Sequence, residues 1–408
     1  MKHIVSKLEG DRIIWLVVVA LSLLSLLAVY SSTGTLAYKY HSGNTEYYIL
    51  KHFTLMVFGL FLMYMAHLVP YRYYAKVAQL LLILSIPLLI YTLFFGTNKN
   101  DANRWITLPI INLSFQTSDL AKVALIMFLA RTLSLKQDKI KSFKEAFLPL
   151  ILPVFAICAL IAPANLSTAL ILFMTSLLLM FIGRVYILHI LGLIGISALV
   201  GALFVSLLFA LPEKNLVGRM PTWKKRIEAF ASKDGKEQFQ VTQSKVAIAK
   251  GMIFGKGPGQ STQRNYLPHP YSDFIYAIII EEYGIIGGVI VLVLYLVFLF
   301  RIIRIVVGSP KAFGALLAVG LGLSLVIQAL INMAVAVNLL PVTGQPLPFI
   351  SMGGTSLFFT SFAVGIILSV SRSIEKGGET GEVSKPSTGS KDDHIVIDDE
   401  NVEALAAA

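Results

Sequence analysis

This chain of 408 residues has one cysteine, three tryptophans and few charges, only 14% of its residues. The lone Cys158 excludes an intrachain disulfide framework and a thiolate metal cluster. Seven histidines are scattered along the chain, with no pair at i and i+4 flanking a glutamate, so no helical zinc-hydrolase motif is present. Acidic residues are the scarcer sign, 23 against 34 lysines and arginines. A soluble domain carries roughly 25% charged residues, so the shortage of charge itself points to a bilayer as the solvent. What fills the space is apolar: 56% of residues are hydrophobic and the mean hydropathy is +0.75.

A spanning helix needs about 20 mainly apolar residues. Ten such runs occur, near residues 12–31, 53–69, 75–95, 118–134, 147–161, 166–183, 186–211, 274–303, 312–340 and 356–371. The fold class expected is therefore an all-α polytopic membrane protein of about ten transmembrane helices. Its one large loop, about residues 212–272, falls between the seventh and eighth. The fifth and sixth runs meet at Ala162-Pro-Ala-Asn-Leu-Ser167, which predicts either a tight turn or one long hairpin. Orientation follows from lysine and arginine in short loops. Arg72, Lys76, Arg131, Lys136, Lys139, Lys141, Lys144, Arg184, Arg301, Arg304 and Lys311 share one side when both termini are cytoplasmic. The large loop is then extracytoplasmic.

That loop carries eleven basic residues against four acidic ones, a surplus of seven. Such charge suits either anionic lipid headgroups or an anionic substrate. Its stretch 238–253 has the pattern of a short interfacial helix lying on the membrane. Gly251-Met-Ile-Phe-Gly255-Lys256-Gly257-Pro-Gly259 falls short of a phosphate loop in spacing and reads as flexible surface turns. The transmembrane domain is taken as 1–373. The tail 374–408, with nine acids against three lysines, cannot bury a core and is expected to be a disordered cytoplasmic segment.

The chemistry-bearing residues gather at the outer helix ends. Asp273, in Tyr266-Leu-Pro-His-Pro-Tyr-Ser-Asp273-Phe-Ile-Tyr-Ala, is an acid at the mouth of a hydrophobic span and a functional candidate on cost alone. Arg104 lies in Asn103-Arg-Trp-Ile, and Lys122 about a turn into the fourth span after Thr117-Ser118-Asp119. Lys122 taken alone reads first as a snorkelling lysine, a reading that the adjacent capping run Thr117-Ser118-Asp119 weakens, and Gln328, Asn332 and Asn338 read as amide glue between helices. The segment Asn338-Leu-Leu-Pro-Val-Thr-Gly-Gln-Pro-Leu-Pro-Phe-Ile-Ser-Met-Gly-Gly-Thr-Ser356 cannot form a regular helix yet is too apolar for full exposure. Non-helical backbone at that depth implies a protein-lined, water-filled cavity.

Five of these motifs in this order resemble the SEDS family of shape, elongation, division and sporulation proteins: Asn-Arg-Trp-Ile; Ser-Phe-Gln-Thr-Ser-Asp-Leu-Ala-Lys; Gly-Lys-Gly-Pro-Gly; Tyr-Leu-Pro with Ser-Asp-Phe-Ile-Tyr-Ala and Glu-Glu-Tyr-Gly; and Pro-Leu-Pro-Phe-Ile-Ser-Met-Gly-Gly-Thr-Ser. Lys224-Lys-Arg-Ile-Glu-Ala-Phe230 is more similar to the division branch than to the elongation branch. The resemblance implies a peptidoglycan glycosyltransferase that polymerises lipid II, the undecaprenyl-pyrophosphate-linked disaccharide peptide, at the outer face of the bacterial inner membrane, at the septum. It implies Asp273 as general base and Arg104 and Lys122 as cations for the leaving diphosphate. Lys245, Lys250, Lys256, Glu282, Asn332, Pro348, Ser351, Gly353, Gly354 and Ser356 are further substrate-site candidates. No cofactor is certain, although a divalent cation such as Mg could share the charge. The implied partners are an FtsI-like class B penicillin-binding protein transpeptidase, received by the eighth and ninth spans, a division regulatory subcomplex and membrane lipids, with no nucleic acid. His269, Tyr271, Asp119 and Met352 depart from the family pattern of Glu, His, Glu and Tyr. A lipid II flippase and a non-enzymatic division scaffold are the competing readings.

Overall fold

The computed structural model describes residues 9–34, 44–98, 103–108, 113–212, 218–231 and 239–381, together with 36, 38 and 216. All ten apolar runs are helical: α1 Arg12–Ser32, α2 Thr45–Leu68, α3 Tyr71–Phe95, α4 Thr117–Leu135, α5 Leu148–Ile161, α6 Leu166–Ile182, α7 Ile187–Ala210, then, after two loop helices, α8 Met220–Ala231 and α9 Phe239–Gly251, come α10 Ile275–Gly308, α11 Ala312–Ala336 and α12 Ser356–Gly381. Eight stretches of the described chain are long and apolar enough to cross a membrane, the one ending in α5 taking in the π-turn Phe143–Phe147. The other two are α6, which is short, and α4, which carries Asp119, Lys122 and Arg131. Contacts at one end of the bundle support ten crossings: the α5–α6 turn, the strand region before α4, the loop after α7 and the loop after α11 all meet there. That turn is tight, Ala164 and Asn165 both donating amides to the Ile161 carbonyl, and Asn165 caps α6 through the Thr168 amide.

The core is built by α11 and α12, 72% and 67% buried over their apolar windows, around the similarly enclosed α4. By contrast α7 is 11% buried and faces lipid over almost all of its length. The eighth span, α10, exposes a stripe including Ile286, Val289, Val293 and Phe300. The ninth does not share it, because the small residues Gly314, Gly320 and Gly322 draw α11 into contact with its neighbours. At the opposite end Asp11 caps α1 through the Ile13 and Ile14 amides and pairs with Arg301 at 2.5 Å. The last helix continues to Gly381, past the boundary that composition suggests for the tail, and 382–408 lies outside the described residues.

Two features depart from expectation. A small antiparallel sheet, β1 Thr97–Asn98, β2 Asn103–Leu108 and β3 Leu113–Gln116, precedes α4. And one face of α9 packs on the bundle: Val241, Ser244, Ala247 and Gly251 are buried, and the Ser244 hydroxyl donates to Ala336 of α11. Its continuation, far from being flexible turns, pairs with a break in α10. Gly284 there has φ +70°, and the amides of Lys256 and Gly257 donate to the carbonyls of Glu281 and Glu282 while Ile285 donates to Met252. A Cβ on Gly284 would stand 2.0 Å from the Ile253 carbonyl oxygen, so the spacing of the glycines is a packing requirement.

Candidate functional site

At the end of the bundle where these loops meet lies a cavity of about 1050 Å³. Asp273 reaches it from the last turn before α10. Three hydrogen bonds hold that turn, two from the non-helical loop before α12 and one from α11. The Met352 amide donates to Tyr271, the Ser351 hydroxyl to the Ser272 carbonyl at 2.6 Å, and the Asn332 amide to the Asp273 carbonyl at 2.9 Å. Asn332, on α11 and 1% exposed, also donates to Gln345 at 2.7 Å, tying both pieces to one rigid helix. Ser351 in turn accepts the Leu347 amide, and Gln345 donates to Thr168 of α6. The loop's path is strained at Phe349, a non-glycine residue with φ +63°. Tyr295 of α10 holds the adjacent Pro348 carbonyl.

The Asp273 carboxylate accepts the Ser272 hydroxyl at 2.9 Å. Burial pushes its pKa above the ordinary carboxylate value, opposed by the Ser272 hydrogen bond and by the charges of His269 and Arg226. Gly344 sits over it: a Cβ there would lie 3.5 Å from Oδ2. A side chain there would crowd the carboxylate, so the glycine keeps that side of Asp273 open.

Arg104, on β2, donates from Nε to the Ala164 carbonyl at 2.8 Å. Lys122 is an interior lysine and not a snorkelling one, since it pairs with Asp119 one turn earlier at 2.8 Å and donates to Gln328. Gln328 passes the contact on to the Pro346 carbonyl at 2.9 Å. Arg104, Lys122, Gly353, Gly354 and Ser356 line the cavity with Asp273. Asn332, Ser351 and Pro348 stand behind its wall and shape it. Lys245, Lys250, Lys256 and Glu282 are not brought to it. Lys256 is engaged with Glu281 at 2.8 Å, and Lys250 donates to Thr262. Glu282, 1% exposed, accepts the Ser261 amide and the Ser31 hydroxyl. The acidic pair thus ties residues 256–263 to the broken α10, a structural use of those carboxylates. Among the described residues no three His, Cys, Asp or Glu side chains are grouped to hold a metal ion.

The structure adds residues that motif reading did not single out. Arg219, before α8, donates to the same Ala164 carbonyl as Arg104, and Arg226, two turns on, donates to Val342. Both line the cavity, as do Lys51 and His269. Arg219 was legible only as net positive charge in the large loop, and Arg226 only as part of the Lys224–Phe230 motif, with no site role attached.

The fold and site define a multi-pass helical membrane protein with a cationic, ligand-sized cavity at one end of the bundle and a half-buried carboxylate clamped in its wall. The chain belongs to the cell cycle protein family that groups FtsW, RodA and SpoVE, whose pattern it matches over residues 11–376. It is 34% identical over 374 residues to stage V sporulation protein E of Bacillus subtilis (strain 168), covering 90% of this chain and 98% of that protein. It is 35% identical over 373 residues to a probable peptidoglycan glycosyltransferase FtsW of Geobacter sp. (strain M18), again covering 90% and 98%. Its fold is similar to that of a chain from a peptidoglycan synthase complex, solved for the structural coordination of polymerization and crosslinking (TM-score 0.70, 23% identity, 90% of this chain and 98% of that one). Thermus thermophilus RodA superposes with a TM-score of 0.65 at 24% identity, covering 90% and 98%.

Proposed function

We propose that this chain is a peptidoglycan glycosyltransferase that polymerises lipid II, with Asp273 as general base. The observation that carries the reading is Asp273 itself: a carboxylate lining a cationic cavity, its turn fixed by hydrogen bonds from α11 and from the loop before α12. Forming a glycosidic bond requires a sugar hydroxyl to lose its proton as it attacks the anomeric carbon, a transfer to a positioned base that contributes about 10²–10⁴-fold. A pKa raised by burial makes Asp273 a stronger base than a solvated carboxylate. The departing diphosphate is already a stable anion, so cations and not a general acid serve it. Back-side attack on an α-linked donor yields a β-linked polymer. A divalent ion such as Mg would enter on the substrate's phosphates, since magnesium keeps much of its shell from substrate and water.

In this reading the cavity faces outward, both termini are cytoplasmic, and the chain works at the septum with an FtsI-like class B penicillin-binding protein and a division regulatory subcomplex. The apolar stripe on α10 is the face offered to a partner helix. The test is polymerisation of fluorescent lipid II by the purified protein, with and without that transpeptidase. Asp273→Asn is expected to abolish glycan strands while leaving the protein folded; normal strands from that variant would overturn the assignment. Transbilayer movement of labelled lipid II without polymerisation would favour the flippase reading instead.

A further inference from the structure

The loop before α12 lacks helical hydrogen bonds, so its carbonyls need donors from elsewhere. Those of Gln345 and Pro346 are met by Asn332 and Gln328 of α11, and that of Pro348 by Tyr295 of α10. The Ile350 carbonyl is met from a third side, by the Ser25 hydroxyl of α1 at 2.7 Å. A serine inside a helix has an easier bond at hand, to the carbonyl one turn back in its own helix. Thr175 and Ser176 of α6 make it, donating to Ile171 and Leu172 at 2.8 and 2.7 Å. Ser25 is instead turned outward, and its second partner says why. The Nε2 atom of His52, on α2, lies 2.7 Å from the same oxygen. The one hydroxyl proton of Ser25 is committed to Ile350, so the oxygen accepts from His52, whose Nε2 therefore carries a proton. Both side chains are buried, where a lost partner is costly.

Ile350 stands between two residues that bear on the base. Phe349, before it, holds the strained φ of +63°, and Ser351, after it, donates to the Ser272 carbonyl beside Asp273. A carbonyl pinned at Ile350 fixes the peptide plane that leads into Ser351, and so the direction from which Ser351 reaches the 271–273 turn. Neither Ser25 nor His52 lines the cavity, whereas Leu50, Lys51, Thr54 and Leu55 of the same α2 do. The histidine thus ties the wall that meets a ligand to the loop that holds the base. We propose that His52 is a positioning residue for Asp273: by donating to Ser25 it keeps that hydroxyl on Ile350 and fixes the Ser351 bond to the turn. Its effect on turnover rests on the glycosyltransferase reading, while its hold on the loop does not.

The experiment uses full-length protein in nanodiscs and has two arms, amide hydrogen exchange over residues 345–356 and separate kcat and KM values for fluorescent lipid II. His52→Leu is expected to speed exchange around the Met352 amide, which donates to Tyr271. It should also lower kcat about tenfold or more, the cost of a displaced reacting group, with KM unchanged. His52→Gln keeps an N–H near the Nε2 position and should restore most of both. Ser25→Ala should reproduce His52→Leu, and the two together should cost no more than either alone, because they act as one relay. Being the smaller change, Ser25→Ala carries the same test if His52→Leu does not fold. Met56→Ala, one turn further along the buried stripe of α2, opens a cavity away from the relay. It should lower the unfolding temperature and leave kcat and loop exchange unchanged. An equal kcat loss in Met56→Ala would reduce His52 to general packing and overturn the proposal. Unchanged loop exchange in His52→Leu would do the same, as would unchanged kcat against a parent that polymerises. A parent that makes no glycan, while His52→Leu still loosens the loop, sinks the glycosyltransferase reading and leaves the relay standing.

Discussion

Asn332→Ala tests whether the catalytic geometry is imposed by α11. The Asn332 side-chain amide makes two hydrogen bonds, 2.9 Å to the Asp273 carbonyl and 2.7 Å to that of Gln345. Its removal leaves the buried Gln345 carbonyl without this donor, at about 1–3 kcal/mol, and the part-buried Asp273 carbonyl at less, so global stability should fall by about 1–3 kcal/mol or somewhat more before any relaxation. Activity should respond separately. Without the clamp the 271–273 turn is still held by Ser351 and Met352, so the carboxylate shifts and is not lost. A displacement of about 1 Å in a reacting group costs roughly 10²-fold, or about 2.7 kcal/mol of barrier. The assay is kcat/KM for polymerisation of fluorescent lipid II at a temperature well below the variant's unfolding midpoint. Gln328→Ala is the comparison: its amide holds Pro346 at 2.9 Å and meets Lys122, without touching Asp273, so the expected loss is nearer tenfold. An Asn332→Ala enzyme that is less stable but polymerises within about threefold of the parent would refute the idea that this amide sets the base.

The acid limb of kcat/KM should lie above the usual carboxylate range, because Asp273 must be ionised to accept a proton and burial raises its pKa; Arg226→Gln removes a charge that lowers that pKa, so a pH–rate series should show the limb moving to higher pH. Gly284→Ala should prevent correct folding, read as loss of monodisperse protein on size exclusion, since the new Cβ would meet backbone at 2.0 Å at a φ of +70°. Arg301→Met breaks the partly buried pair with Asp11 at the far end of the bundle; thermal unfolding should register a loss of about 3–5 kcal/mol, with KM for lipid II unchanged.

Legibility in the sequence divided along a physical line. Ten spans could be read because a bilayer demands about 20 apolar residues whatever the tertiary context, and even α4, with three charges, followed its flanking motif. Asp273 stood out because an acid at that depth is costly. The non-local pairings were invisible. Nothing in Gly251 to Gly259 announces that its backbone will pair with residues 281–285 of a broken helix, and the interfacial pattern of α9 gives no sign that Ser244 reaches Ala336. Arg219 and Arg226, at and within α8, were hidden for a related reason. A basic loop specifies charge but not which of its cations will find a shared carbonyl. Lys245, Lys250 and Lys256 were equally good candidates until the fold turned Lys250 and Lys256 toward Thr262 and kept all three from the cavity.

The position of the site follows from how this bundle satisfies its own backbone. A membrane helix meets its hydrogen bonds internally, so any residue that must face a polar ligand needs backbone freed from that ladder and satisfied elsewhere. Here the freed segments satisfy one another at a single end. The loop 252–257 completes the break at Gly284, Thr355 donates to Ser114 of β3, and Ser351 and Asn332 meet the carbonyls of residues 272 and 273. Asn332 donates from the core helix α11, and Ser351 and Thr355 from the loop that it holds, so the non-helical part of the cavity wall is fixed by several interlocking bonds. Catalysis through one fixed base requires that rigidity, whereas a carrier moving lipid across the bilayer would need the same wall to open. Interlocked side chain–backbone bonds from α11 across the loop to α10 oppose such opening, and this is the structural reason to favour a polymerase over a flippase.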